Sequence, residues 1–493
     1  MTFKNKFASE YTSQFKEHSA IELVKQFKSG KTSISEYLTK LFNHIEKMNP
    51  ELNALTSIQK EHAFERAKQL EAQKVNNEQC LYGVPIILKE NIQKINFPVE
   101  CASKILKGYT GQFNATVVNS FEKAGAIFIA TANMDEFAMG SSNEHSCHGV
   151  VKNPHDVSRV SGGSSGGSAV ACAAGFGPIA LGSDTGGSVR QPAGFCGIYG
   201  LKPTYGRVSR YGLVAFGSSL DQISPFARTM GDLDLMMRVM AHEDPRDATS
   251  LTGSYASSKE TYELKGKKIG VLRSVLKEGV DDNVMQEFLQ LEENLKKHGV
   301  TFVDIEIPSL EHTLSVYYLI ACAEASTNLS RFDGIRYGHR AQNTNDLFDL
   351  YCKTRAEGFG HEVKRRIMLG TFSLSAGFYD AFYGKAQTVR DLMAHQFDSV
   401  FKEVDFIYLP TSPASAFHFG INAFDPIKEY LYDIFTIPAN LIGVPAISVP
   451  ANVATGTLPV GLQFMAKKGS DANLIAFAAA LENKNLVGTT RLL

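Results

Sequence analysis

The stretch GSDTGGSVRQPAGFCG, residues 182–197, sets a serine, Ser188, behind two glycines and ahead of residues that can open a helix. A serine presented this way suits nucleophilic attack, but a hydroxyl needs a partner to take its proton. The stretch contains no histidine. A second cluster, SGGSSGGS, lies upstream at 161–168. Three chemistries fit two such clusters. A phosphate cradle requires a P-loop lysine followed by Ser or Thr, or GxGxxG after a strand; neither is present. A nucleophile elbow, GxSxG, matches Gly162–Gly166 with Ser164 at its centre, and requires a preceding strand and a later acid and histidine. The preceding NPHDVSRV is a poor strand. The third is a two-serine system in which both clusters face one site. His145, Cys147, His148 and His155 form one further group with metal-ligand chemistry. Their spacing fits poorly with the C-x₂₋₄-C or H-x₃₋₅-H patterns of zinc sites, so no metal is expected.

Such groups must be carried by ordered elements. Residues 19–29 begin with a capping box, Ser19 and Glu22, and space Ala20, Leu23, Val24 and Phe27 on one helical face before Gly30. Ser33 and Glu36 repeat the box, with Ile34, Leu38, Leu41 and Ile45 as the next stripe before Pro50. A third helix is expected over 58–74. From about residue 81 short apolar runs alternate with helical stretches. The runs are VPIIL (84–88), AIFIA (126–130), KIGVL (268–272), TFVDIEI (301–307), DFIYL (405–409), PAISV (445–449) and LPVGLQFM (458–465). Helices are expected near 114–124, 281–297 and 471–484. This alternation predicts an α/β fold: a large, mostly parallel mixed sheet covered by helices on both faces, behind a helical N-terminus.

Composition narrows the class. The chain has 493 residues, 44% hydrophobic and 20% charged, typical of a globular protein with a large core. A net charge of −1 leaves no basic footprint for gripping nucleic acid. Seven cysteines without a CxxC pair read as reduced thiols of a cytoplasmic chain. The N-terminus lacks the roughly 7–15-residue apolar run of a secretory leader, and the longest apolar candidates, such as 168–182, are rich in Gly and Ala and fit a buried core better than a membrane span.

SGGSSGGS, GSDTGGSVRQP and FCGIYGLKPTYGRVS follow one another between 158 and 230, below GVPIILKEN at 83–91. This order resembles the amidase signature family. The resemblance implies one amidase domain over 1–493, with 1–75 as its helical part and 76–493 as its α/β core. It implies a catalytic set of Lys89, Ser164 in a cis peptide bond, and Ser188 as nucleophile. The backbone N–H groups of Thr185, Gly186 and Gly187, with Ser188, would form the oxyanion hole. A lysine, ordinarily with a pKa of about 10.4, is a poor base. Burial can lower that value by several units, and Lys89 follows an apolar run. Taken alone, Lys89 reads as a solvated charge at a strand end; within the three-part pattern it reads as the base.

Longer blocks at 131–144, 205–232, 324–340 and 365–390 resemble the A subunits of glutamyl-tRNA(Gln) amidotransferases. That resemblance implies a glutaminase that passes ammonia to a B subunit, which holds Glu-tRNA(Gln) and converts it to Gln-tRNA(Gln). A small C subunit completes a heterotrimer. ATP and Mg²⁺ would act on the partner, with no cofactor in this chain. The glutamine-binding residues fall on Tyr317, Arg366 and Asp433, with Tyr318 as the alternative one residue away. Ser161 and His155 depart from the family's usual Pro and Trp. A free-standing amidase on small amides is the nearest alternative within enzymes; a Ser-His-Asp hydrolase built on Ser164 and a binding module that has lost catalysis are the others.

Overall fold

The structure is a computed structural model, and it describes residues 18–73, 76, 78–257, 262–421, 426–454 and 456–488. The N-terminal segment read for a leader therefore lies outside the described residues over 1–17, as do the ends of the chain beyond 488. Eleven strands join in one sheet. They are β1 (Leu55–Ile58), β2 (Pro85–Lys89), β3 (Ile127–Ala132), β4 (Ile179–Asp184), β5 (Tyr199–Lys202), β6 (Gln222–Ala227), β7 (Lys268–Val271), β8 (Thr301–Asp304), β9 (Phe406–Pro410), β10 (Ala446–Pro450) and β11 (Gly461–Ala466). Their spatial order is β1-β3-β2-β4-β6-β5-β10-β11-β9-β7-β8.

The α/β class holds, but parallel pairing is less extensive than the alternation predicts. It is confined to two triads, β3-β2-β4 and β9-β7-β8. The remaining neighbours, including the whole centre, are antiparallel. The cause is connectivity. Helices Thr116–Lys123, Gly166–Ala173 and Asp282–Lys297 return the chain to the same end, as parallel strands require. Between β5 and β6, and between β10 and β11, no helix intervenes among the described residues, and the chain passes directly into an antiparallel neighbour.

Both faces of the sheet are packed. Ile86, Leu88 and Phe128 join one buried cluster, while Ile87, Ile127 and Ile129 join another. Period-2 alternation within strands buried on both sides produces this partition. The N-terminal helices Ala20–Lys28, Ile34–Leu52 and Lys60–Glu71 supply the second cluster through Leu23, Leu38, Leu41, Ile45 and Ala63. Ser19 and Ser33 accept from the N–H groups of Glu22 and Glu36 at 3.1 and 3.0 Å, so both helix starts are capped as their sequence pattern indicates. The second helix runs through Pro50 to Leu52 rather than stopping before it, because a proline in the last turn removes only one internal hydrogen bond.

β1, β4, β5 and β6 are absent from the apolar runs recognisable in the sequence. Their sequences, LTSI, IALGSD, YGLK and QISPFA, are short or interrupted by polar residues, glycine or proline, so they do not stand out as apolar runs. Helices Thr313–Asn328, Leu347–Gly358, His361–Ser373 and Lys385–Val400 interrupt the alternation between β8 and β9.

Candidate active site

Parallel strands β2 and β4 end side by side, with Leu88 opposite Leu181. This is the edge at which open α/β sheets place their chemistry. β2 closes on Lys89 and β4 on Asp184, and the two Gly/Ser clusters fold over that edge. The clusters touch directly: the Ser165 N–H donates to the Ser188 carbonyl at 3.1 Å.

Lys89 is fully buried. Its Nζ lies 2.8 Å from Ser164 Oγ, 2.7 Å from Ser165 Oγ and 3.0 Å from Ser183 Oγ. Burial pushes it down to about 7, against the pull of the Asp135, Asp184 and Asp221 charges. Near neutrality a substantial fraction is therefore the free amine, whose lone pair can accept a proton. Ser164 follows a cis peptide bond, Gly163–Ser164. Its carbonyl accepts from the Asp135 N–H at 3.1 Å, and the Gly163 N–H donates to Gln191 Oε1 at 3.1 Å. Ser164 stands at a loop-to-helix junction, and its hydroxyl meets an amine rather than an imidazole. The Ser-His-Asp reading of the elbow is thereby corrected: Gly/Ser-rich sequence matches GxSxG without the preceding strand that the elbow needs.

Ser188 is 8% exposed while Lys89 and Ser164 are 0%, so Ser188 is the one of the three that a substrate can reach from outside. Its hydroxyl makes no hydrogen bond among the described residues, and the Ser164–Ser188 contact expected of a proton relay is open here. Such bonds often tighten only around a bound substrate.

Asp184 and Arg190 organise the turn between them. Arg190 grips Asp184 with Nε at 3.0 Å and a terminal nitrogen at 2.9 Å, and Asn440 adds a third bond at 3.0 Å. Burial opposes the carboxylate charge, yet these partners hold its pKa down at about 2. Asp184 also accepts from the Gly187 N–H at 2.9 Å. That narrows the oxyanion-hole expectation. The Gly187 N–H is committed to Asp184, whereas those of Thr185, Gly186 and Ser188 have no acceptor among the described residues. Thr185 is fixed separately, through its hydroxyl on Asp221 at 2.7 Å. Gly187 has φ +137°, and a side chain there would strike Thr436. Asp184, Arg190 and Asp221 were not singled out from the sequence. Two of them lie inside the quoted motif, but their role depends on Asn440 and Thr436, some 250 residues away.

Of the other three candidates, Tyr317 and Asp433 stand against the turn. A methyl group on Gly186 would fall 2.6 Å from the Tyr317 hydroxyl, which places Tyr317 against the turn. Its neighbour Tyr318 instead stacks on Tyr430 at 3.9 Å and lies beside Arg366. Arg366 is buried among Phe216, Tyr318 and Tyr430. Its Nε donates to Glu362 at 2.7 Å, and its two terminal nitrogens make no hydrogen bond among the described residues. Asp433 Oδ2 accepts from the Ser141 hydroxyl. Asp433 Oδ1 is buried with no partner, and lies 3.3 Å from where a Gly187 side chain would begin. Burial pushes this carboxyl up to about 8. One carboxylate oxygen of Asp433, beside the turn, and the two terminal nitrogens of Arg366 thus lack partners among the described residues.

The histidine–cysteine group does not converge. His155 bonds the Cys196 carbonyl at 3.0 Å, His145 pairs with Glu429, and His148 lies 3.3 Å from Glu90. Among the described residues no group of three or more His, Cys, Asp or Glu is arranged to hold a metal ion. Nor is any helix long and apolar enough to cross a membrane.

A family model described as Amidase matches residues 36–475. The chain is 48% identical over 471 residues to the A subunit of glutamyl-tRNA(Gln) amidotransferase from Geobacillus sp. (strain WCH70), a match covering 94% of this chain and 97% of that protein. The corresponding protein from Lysinibacillus sphaericus (strain C3-41) is 48% identical over 469 residues, covering 94% and 96%. Among solved structures, the A subunit of glutamyl-tRNA(Gln) amidotransferase from Thermotoga maritima superposes with a TM-score of 0.80 at 38% identity, covering 96% of this chain and 95% of that one. The native peptide amidase of Stenotrophomonas maltophilia superposes with a TM-score of 0.78 at 25% identity, covering 97% and 99%.

Proposed function

The chain belongs to the amidase family, and from that premise we propose that it is the glutaminase subunit of a tRNA-dependent amidotransferase. The observation that carries the chemistry is the fully buried Lys89 amine 2.8 Å from Ser164 Oγ, beneath the turn that presents Ser188. Near-complete coverage at 48% identity to the A subunits of amidotransferases supports the choice of substrate. The single sheet running from Leu55 to Ala466 supports reading the chain as one amidase domain.

In this reading glutamine enters with its α-ammonium on Asp433 and its α-carboxylate on Arg366, beside Tyr317. Ser188 Oγ attacks the side-chain amide carbon. Its proton passes to Ser164, whose own proton passes to the Lys89 lone pair, since a hydroxyl both donates and accepts. The oxyanion takes the free N–H groups of Thr185, Gly186 and Ser188, each worth about 3–4 kcal/mol in the transition state. Protons returning along the same path release ammonia and leave a glutamyl ester on Ser188, which water hydrolyses. The ammonia goes to a B subunit that binds Glu-tRNA(Gln) and uses ATP and Mg²⁺, within a cytoplasmic heterotrimer completed by a C subunit.

The test is division of labour. In the complex assembled with B and C subunits, Ser188→Ala should abolish ammonia release from glutamine while added ammonium salt still supports formation of Gln-tRNA. Loss of both activities, or glutamine hydrolysis at the unmodified rate, overturns the reading. Efficient hydrolysis of small amides by the chain alone, with no response to the partner subunits, favours the free-standing amidase.

A further inference from the structure

Asp433 reaches a second acid through one short segment. Its Oδ2 accepts from the Ser141 hydroxyl. The Ser141 N–H and the Ser142 hydroxyl both donate to Glu429 Oε1, at 3.3 and 3.1 Å. Glu429 Oε2 lies 3.3 Å from His145 Nε2. The Ser141 carbonyl accepts from Gln191 Nε2 at 2.7 Å, and Gln191 Oε1 in turn holds the Gly163 N–H. Ser141 is therefore clamped on three sides: by the belt that carries Ser164, by Glu429, and by Asp433.

Glu429 is buried and precedes Asp433 by four residues. Two carboxylates so close in a poorly solvated site repel, and each disfavours ionisation of the other. A cation on the far side of Glu429 offsets this. His145 supplies it: burial opposes its charge, but Glu429 and Asp135 push it up to about 9. Glu362 also faces this histidine and favours the same form.

We infer that the His145–Glu429 pair positions Asp433 for the α-ammonium of the substrate, locking Ser141 so that Oδ1 stays aimed at the ligand and cancelling the charge that would otherwise oppose it. The inference rests on Asp433 as the ammonium site. His145 and Glu429 touch neither substrate nor reacting atoms in this scheme, so they are positioning residues.

The experiment compares glutamine with 4-carbamoylbutanoate, which is glutamine without its α-amino group, using the assembled complex. Asp433→Asn serves as the reference and should erase most of the preference for glutamine. Glu429→Gln and His145→Asn should each raise the glutamine KM about tenfold with kcat nearly unchanged, and leave 4-carbamoylbutanoate within about twofold. The double variant His145→Asn/Glu429→Gln should be milder than His145→Asn alone, because it removes the buried acid that the single variant leaves uncompensated. His145→Lys, which keeps a cation at the position, should recover part of the loss. Equal losses on both substrates would overturn the proposal and mark the pair as support for the fold. A normal KM in both single variants, with the Asp433→Asn effect intact, would overturn it while leaving Asp433 as the ammonium site. An unchanged substrate preference in Asp433→Asn would overturn both.

Discussion

The floor of the site and its mouth are built on opposite terms. The floor's supports are saturated, although the Ser188 hydroxyl they present makes no hydrogen bond among the described residues. Lys89 has three hydroxyls within 3.0 Å, and Asp184 is held by two nitrogens of Arg190, by Asn440 and by the Gly187 N–H. The mouth leaves strong groups unpaired, with Asp433 Oδ1 and the terminal nitrogens of Arg366 lacking partners among the described residues. A buried polar atom without a hydrogen-bond partner is costly, so where such atoms gather a ligand is the natural complement. The difference separates geometry that must not move from groups held in reserve for a substrate. It follows that floor and mouth should fail differently when altered.

The floor should fail in turnover. Ser188→Ala removes the proposed nucleophile and should cut glutamine hydrolysis by at least about 10⁴-fold with the fold unaltered, read as ammonia release and melting temperature. Lys89→Ala should cost about 10²–10⁴-fold in kcat, the range for a positioned base. The pH sign follows from the direction of the shift. With its pKa pushed down to about 7, Lys89 loses its lone pair as pH falls through that value. At saturating glutamine, the kcat of the intact protein should therefore decline by about tenfold per pH unit well below 7 and level off above it. A flat profile with chemistry rate-limiting, or full activity in Lys89→Met, breaks the assignment of Lys89 to the floor's base.

The mouth should fail in recognition. Asp433→Asn should raise the glutamine KM by about 10- to 100-fold, matching the roughly 1.5–3 kcal/mol of a hydrogen bond to a charged group, and should harm an amide lacking the α-ammonium much less. Arg366→Lys keeps the charge but replaces a planar fork with a point, and should weaken glutamine by about tenfold, measured as kcat/KM. Equal losses for both substrates in Asp433→Asn, or an unchanged glutamine kcat/KM in Arg366→Lys, would erase the distinction between floor and mouth. The smallest effect belongs to a region outside both. Ser33→Ala removes a helix cap and should lower stability by about 1 kcal/mol in denaturant unfolding, with kcat/KM unchanged.

Legibility in the sequence follows the same division. The floor lies largely within contiguous motifs: Ser164 and Ser188 are 24 residues apart in one belt, and Lys89 ends a readable apolar run. Even there, the commitment of the Gly187 N–H to Asp184 was hidden, because a backbone donor's partner is set by how the turn folds. The mouth was legible only by resemblance. Tyr317, Arg366 and Asp433 lie in three separate helical or turn segments, and no local pattern distinguishes Tyr317 from Tyr318. The structure separates them, putting one against Gly186 and the other against Arg366. The Glu429–His145 pair, 284 residues apart in the chain, left no local signal.

What the sequence determined by itself was what depends on near neighbours: capped amphipathic helices, apolar strands, glycines where a turn admits no side chain, and a serine-rich belt able to do acyl chemistry. Tertiary structure decided strand direction, because a chain segment does not record which neighbour it will meet. It also decided the state of each charge. Lys89 and Asp184 close adjacent strands in similar burial, yet the lysine is pushed toward its neutral form and the aspartate is held ionised. Desolvation alone would neutralise both. The Arg190 guanidinium, locked to Asp184 and anchored in turn by Asn440, Thr436 and Gln463, reverses the outcome for one and leaves the other as a base.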